Sequence, residues 1–312
     1  MASISPFQIR PLNAGDADFP AALGMAFGGD PEGREQAAAW GEARGVVPAA
    51  EVGHLLGVYG GGVLLSACAA VPVPGRVAFV WCRGAARHAL AARAAVAGLV
   101  ALQESAWQRS IKLLEALLPP GATALGTPLT EAGFVFLTRL LYLSRPVPGR
   151  PAPRPPAEDL EWVEYTPQRE PLFQRALELA YQGSLDCPPL AGVRTAAEVL
   201  AGQRAAAGHD PKLWWTALRQ TEPVGVLLLN ELRGVRALEI VYIGAAPAAR
   251  GTGVADALLR RAVEAGAQRS ATNLTLAVDG ANAPARRMYA RWGFTQFAAR
   301  DAWIATRPGA EG

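Results

Sequence analysis

The chain has 312 residues, is 51% apolar and 18% charged, and carries a net charge of +3 with its basic residues scattered. Such a composition describes a folded, Ala-rich protein long enough for two domains; it excludes a disordered chain and gives no reason to expect nucleic acid as a partner. No uninterrupted apolar stretch reaches membrane-spanning length and residues 1–10 lack a signal-peptide pattern, so no membrane is expected and the predicted location is cytoplasmic. Cys68, Cys82 and Cys187 are odd in number and lack metal-ligand spacing, which fits reduced thiols in small apolar roles. His54, His88 and His209 are too dispersed for a triad or metal site.

In chain order, residues 9–12 predict a short strand and the apolar spacing from Phe19 to Phe27 a helix. Leu55–Tyr59, Val63–Val71 and Arg76–Trp81 read as three strands of an antiparallel meander, separated by Gly60-Gly61-Gly62 and Pro72-Val73-Pro74-Gly75. Helices are expected from about Ala85 to Trp107 and from Ile111 to Leu118. A short connection then leads through Gly133-Phe134 into a β-rich run ending near Leu143. Prolines at 146, 148, 151, 153, 155 and 156 forbid a helix or central strand, and predict a semi-rigid linker.

The second half predicts a strand at Leu160–Tyr165, helices around Leu172–Tyr181 and Ala196–Ala207, and three strands at Leu213–Leu218, Val224–Leu229 and Ala237–Ile243. Trp214 and Trp215 would lie on opposite faces of the first of these. A helix to about Gly266, a strand at Leu274–Val278, a helix at Asn282–Trp292 and a hairpin-like stretch from Gly293-Phe294 to Thr306 complete it. The halves share an order of elements, and in each a Gly-Phe precedes a β-rich tail, which reads as a tandem duplication. The expected domains are 1–144, a Pro-rich linker 145–158, and 159–312.

Between the apolar run Ile240–Ile243 and the following helix lies Ala246-Pro247-Ala248-Ala249-Arg250-Gly251-Thr252-Gly253-Val254-Ala255. Two glycines just before a helix free the backbone N–H groups of Thr252–Ala255 to converge on an anion, to which the helix N-terminus adds partial positive charge and Arg250 a full one. The Walker pattern lacks its Gly-Lys-Ser/Thr ending here, and Asp256 stands where the dinucleotide fingerprint needs Gly or Ala. An ordinary glycine-containing strand-to-helix turn is the other reading.

The stretch Arg250-Gly-Thr-Gly-Val-Ala255 resembles the Arg/Gln-x-x-Gly-x-Gly/Ala loop with which GCN5-related N-acetyltransferases hold the pyrophosphate of acetyl-coenzyme A. Asn282, Ala285, Tyr289 and Gly293-Phe294 resemble that family's Asn-x-x-Ala-x-x-x-Tyr-x-x-x-Gly-Phe signature, in the same order and spacing. The resemblance implies an α/β (α+β) fold of two tandem domains, each a mixed, mostly antiparallel sheet flanked by helices. It further implies acetyl-CoA as co-substrate, bound by Ala245, Arg250, Gly251, Thr252, Gly253, Val254, Ala255, Asn282 and Tyr289, an amine acceptor on a small molecule or protein, and a monomer or homodimer.

Acyl transfer to an amine needs a deprotonated nucleophile, a stabilised oxyanion and a proton for the leaving thiolate. A lysine-like amine of pKa about 10.4 is neutral in roughly one molecule in 2,500 at pH 7, so a general base is useful. Glu239 is the candidate, because Glu239-Ile-Val-Tyr resembles the Glu-Ile-Val-Phe stretch on which the histone acetyltransferase branch places its base, although the loop here is two residues shorter. A surface glutamate at a strand start is its other role. The resemblance makes Tyr289 the acid for the thiolate, beside a packing role, and Asn282 a helix cap or a cofactor contact. Oxyanion stabilisation is expected from a main-chain N–H near Gly244–Ala246, and Asp186 could hold a cationic amine or cap the loop.

The first half does not repeat these features. Leu129 stands where Tyr289 would, and Arg83-Gly84-Ala85-Ala86-Arg87-His88 lacks the second glycine and the small residue after it, which predicts a copy that has lost catalysis. Two other readings are a mycothiol-synthase-like tandem acetyltransferase and a non-catalytic acyl-CoA-binding sensor.

Overall fold

The computed structural model describes residues 6–29, 33, 54–84, 88–147, 159–206, 208–232 and 234–309. They belong to two compact units, one of residues 1–137 and 301–312, the other of residues 138–300.

In the first unit, β1 (Gln8–Pro11), β2 (His54–Gly60), β3 (Val63–Val73) and β4 (Val77–Trp81) form the expected antiparallel meander, with α1 (Phe19–Phe27) packed on it. The long helix α2 (Ala89–Gln108) buries Ala91, Ala95, Leu99 and Leu102, a stripe at helical spacing. Residues 113–118 are a strand, β5 (Leu113–Leu118), not a helix. Leu-Leu-Glu-Ala-Leu-Leu contains good helix formers, but parallel pairing with β4 buries Leu113, Leu114, Ala116 and Leu118, and tertiary pairing overrides propensity. The expected connection after it is instead α3 (Thr123–Glu131), which the sequence concealed behind Gly126 and Pro128. Gly126 is required there, since a Cβ would stand 2.9 Å from the Trp303 ring. Cys68 on β3 and Cys82 just past β4 are free thiols, as expected, and their Sγ atoms lie 2.9 Å apart, within hydrogen-bond distance.

In the second unit, β7 (Glu161–Glu164), β8 (His209–Arg219), β9 (Glu222–Leu232) and β10 (Ala237–Ala245) are sequentially antiparallel, and β11 (Asn273–Asp279) runs parallel to β10. Helices α4 (Glu170–Tyr181), α5 (Ala196–Arg204), α6 (Val254–Gln268) and α7 (Ala283–Arg291) cover the sheet. Thr195 and Glu198 form a capping box at the start of α5. Helix α6 buries Val254, Leu258, Leu259, Ala262 and Ala265, and its first turn comes so close to β9 that a Cβ on Gly225 would lie 2.9 Å from Val254 Cγ1. Trp214 is fully buried and donates its indole N–H to the Leu229 carbonyl, while Trp215, on the other face, stacks on Arg261.

With β5 and α3 corrected, the order β4-α2-β5-α3 followed by Gly133-Phe134 and β6 (Val135–Pro146) matches β10-α6-β11-α7 followed by Gly293-Phe294 and β12 (Thr295–Thr306). The terminal strands divide otherwise than the sequence halves. Leu140–Pro146 of β6 pair antiparallel with β11 in the second unit, and Asp301–Thr306 of β12 pair antiparallel with β5 in the first. Residues Thr295–Thr306 are therefore one long strand rather than a hairpin. The expected linker also starts later than residue 145: Arg145 is buried in β6, its guanidinium against the rings of Trp292 and Phe294, and the prolines from 148 to 156 lie outside the described residues.

Candidate active site

Strands β10 and β11 pair only from Ala237–Asn273 to Ile240–Leu276. A bulge between Ile240 and Tyr242 then turns β10, which stays paired with β9 as far as Ala245. Beyond Ile240 the two parallel strands have no shared register, and a cavity of about 340 Å³ opens between them. Its walls are Tyr242, Gly244 and Ala245 from β10, Leu276 and Val278 from β11, Met288 and Tyr289 from α7, and Ser184–Asp186 from the loop after α4. Gly244 is dictated by packing, because a Cβ would lie 2.8 Å from the Ala180 Cβ and 2.9 Å from the Tyr242 hydroxyl.

The glycine loop closes one end. Gly251 and Gly253 have φ of +79° and +89°, the left-handed region that favours glycine. Gly253 is the N-cap of α6 and offers no side-chain cap. Thr252 donates its N–H to the Ala249 carbonyl at 3.3 Å and its hydroxyl to the same oxygen at 2.8 Å, and the Ala257 N–H closes on Gly253. The N–H groups of Gly251, Gly253, Val254, Ala255 and Asp256 have no acceptor among the described residues. The free donors are thus these five amides; the Thr252 N–H, expected among them, is held by the Ala249 carbonyl.

Arg250 differs more from its expected role. Its guanidinium donates to the carbonyls of Ala180, Gln182 and Gly183 at 3.1, 2.6 and 3.0 Å, and its Nε to that of Ala245 at 3.3 Å. It therefore caps the C-terminus of α4, where a cation also meets the negative end of the helix dipole, and ties that helix to the end of β10. The Ala246 N–H is committed to the Val224 carbonyl at 3.0 Å, which removes Ala246 from the expected oxyanion donors.

Asn282 caps α7, its Oδ1 accepting the Ala285 N–H at 3.2 Å. Two turns on, Tyr289 lies 5% exposed, edge-on to Phe294 with ring centroids 5.5 Å apart. Its hydroxyl pKa is pushed above the ordinary tyrosine value, chiefly by burial and then by the charge of Asp186. Below it, Trp292 donates its indole N–H to Asp256 at 2.7 Å, joining the end of α7 to the first turn of α6.

Of the two proposed catalytic groups, Tyr289 lines the cavity and Glu239 does not. Glu239 pairs with Asn230 and Thr275 in the part of β10 where the sheet is closed on both sides, and burial alone pushes its pKa up. The carboxylate that does line the cavity is Asp186. It accepts the Asp279 N–H at 3.2 Å and a hydrogen bond from the Asn282 side chain; burial still raises its pKa. Asp279 holds the loop from the other side, accepting the N–H groups of Cys187 and Ala281 and the hydroxyl of Thr138. Tyr242 and Tyr181 pack edge to face at 5.3 Å; burial raises both hydroxyls, that of Tyr181 to about 12.

In the first unit, α2 begins differently. His88 stands at the N-cap and its Nδ1 accepts the Ala91 N–H at 3.1 Å, so one of the first-turn donors is already occupied. Residues 85–87 lie outside the described residues. Leu129 is buried in α3.

Residues 177–294 match the model of the Acetyltransferase (GNAT) family. A mycothiol acetyltransferase of Brachybacterium faecium is 31% identical over 170 residues, 53% of this chain; the match spans about half, 51%, of the length of that curated relative. Among solved structures, a GCN5-related N-acetyltransferase from Sphaerobacter thermophilus superposes with a TM-score of 0.62 at 20% identity, covering 98% of this chain and 97% of that one. A tandem GNAT protein from the clavulanic acid biosynthesis pathway gives 0.50 at 14% identity, covering 96% and 98%. At these identities the structural likeness shows the fold alone.

Proposed function

We propose, from the premise that residues 177–294 are a GCN5-related N-acetyltransferase domain, that the second unit transfers the acetyl group of acetyl-CoA to a primary amine. The observation that carries this reading is the opening between β10 and β11, with the uncapped N-terminus of α6 at one end and Tyr289 in its wall. The amides of Gly251 and Gly253–Asp256 would hold the pyrophosphate, a fit supported by five donors with no internal acceptor and by open space over Gly251. Direct attack by the amine on the thioester forms the C–N bond and breaks the C–S bond. Tyr289, kept protonated by burial and by Asp186, gives its proton to the departing sulfur. The main-chain N–H of Ala245, on the β11 side of β10, would face the developing oxyanion.

The first unit, with His88 on its helix start and Leu129 in place of a tyrosine, is proposed to have no such reaction. The likeness to a mycothiol acetyltransferase favours, as a second reading, a sugar-linked amine as acceptor. Calorimetry with acetyl-CoA, followed by thiol release over a panel of amines including glucosaminides, tests all of this. No acetyl-CoA binding refutes the cradle, and binding without turnover over the panel leaves an acyl-CoA sensor.

A further inference from the structure

We propose that Asp186 accepts the proton of the attacking amine, and that the acceptor therefore enters as an ammonium ion seated on this carboxylate. The proposal rests on the acetyl-transfer reading above and assigns the base to the loop after α4 instead of to β10. Among the described residues, Asp186 and Arg250 are the charged groups lining the cavity, and the Arg250 guanidinium is committed to four backbone carbonyls. An ammonium entering this opening, walled in part by Leu276, Val278 and Met288, loses hydration and needs an opposite charge close by. Asp186 supplies it, and Glu239 stands outside the lining.

The carboxylate is built in. Asp279 from β11 donates its backbone N–H to it and Asn282 at the start of α7 a side-chain hydrogen bond, two of the roughly four acceptor positions of a carboxylate. Facing it are Tyr181 from α4, Tyr242 from β10, Tyr289 from α7 and the Asp279 carboxylate, with Arg250 beside Tyr242 and Arg194 beside Tyr181. Burial and Asp279 push its pKa up against the lowering effect of the two hydrogen bonds, which makes it a stronger base than an ordinary carboxylate. Asp186 takes one proton from the ammonium and releases it to solvent. As the C–N bond forms, it takes the second nitrogen proton, and Tyr289 gives its own to the sulfur as the C–S bond breaks. The proton on Asp186 then returns to the Tyr289 oxygen, leaving amide, free thiol and one proton in solution.

The test is Asp186→Asn in the full chain, which keeps an oxygen to accept the Asp279 N–H. Thiol release is measured with acetyl-CoA and three acceptors, 2-phenylethylamine, glucosamine and a lysine peptide, between pH 5 and 10. Calorimetry with acetyl-CoA and a carboxyl-carbon NMR titration of Asp-labelled protein accompany it. Expected are a loss of about 10²- to 10⁴-fold in kcat/KM for the amine, the size of a general-base contribution, and recovery toward wild type as pH rises and free amine accumulates. Acetyl-CoA affinity should stay within twofold, and the variant should lack one aspartate resonance that titrates above the ordinary range in wild type. An unchanged pH–rate profile with kcat/KM within threefold overturns the proposal and leaves acetyl transfer standing. A wild-type protein that binds acetyl-CoA but acetylates none of the three overturns both.

Discussion

Replacing Gly253 with Ala separates the conformational role of this glycine from its role in the proposed pyrophosphate cradle. Its φ of +89° costs an L-residue about 1–2 kcal/mol, partly offset by about 0.4–1 kcal/mol from the stiffer unfolded chain. The net, near 1 kcal/mol, lowers the melting temperature by about 2–4 °C for a domain of this size. Gly234 is the control: its φ is +79°, a Cβ there meets open space, and it sits in the turn between β9 and β10. Gly234→Ala should therefore cost about the same stability. Only Gly253→Ala should disturb the five free amides. Losing one charge-assisted hydrogen bond to phosphate, about 1.5–3 kcal/mol, weakens acetyl-CoA binding about 10- to 100-fold. Calorimetry on both variants, with melting curves alongside, reads the two effects separately. Equal affinities in Gly253→Ala and Gly234→Ala would refute the cradle, whatever the melting curves show.

Tyr289→Phe keeps the edge-on contact with Phe294 and removes only the hydroxyl, so turnover should fall about 10²-fold or more with acetyl-CoA affinity within twofold. Because its pKa is raised, the wild-type donor stays protonated above tyrosine's ordinary value of about 10, and no alkaline fall in rate below that pH should trace to it in a Tyr289→Phe comparison. Glu239 is penalised as a carboxylate: with its folded pKa above the unfolded value, stability is lost as pH rises through the folded pKa. Glu239→Gln should thus raise the melting temperature at pH 7, with the gain vanishing below pH 4, and leave turnover within threefold; a 100-fold loss would return it to the reaction. Trp292→Phe strands the buried Asp256 carboxylate and should cost about 1–3 kcal/mol in urea unfolding, against a much smaller loss in Asp256→Asn, which retains an acceptor.

Local features of the chain were legible without coordinates because they are set by residues close in sequence. The left-handed glycines, the Asn282 cap, the burial of Tyr289 and most strands follow from backbone permissiveness, capping chemistry and hydrophobic period. Where the reading of elements failed, at Leu113–Leu118, pairing with a distant strand decided the conformation against local preference, and at Thr123–Glu131 Gly126 and Pro128 masked a helix.

The sequence by itself therefore determined the local parts of the site: a glycine-rich, uncapped helix start after a strand, and a tyrosine about two turns into a capped helix. Only the tertiary structure decided which groups meet. The splitting of β10 from β11 depends on a bulge and on partners in other strands, so no local pattern shows that it exposes Tyr242–Ala245 and leaves Glu239 aside. Arg250 binds carbonyls 67 to 70 residues away, and Asp186 meets Asp279 across 93. Hydrogen bonds over such separations are fixed by the packing of whole elements, and that packing, not the spacing of residues, turned a charged loop arginine into a helix cap and a loop aspartate into the carboxylate of the cavity.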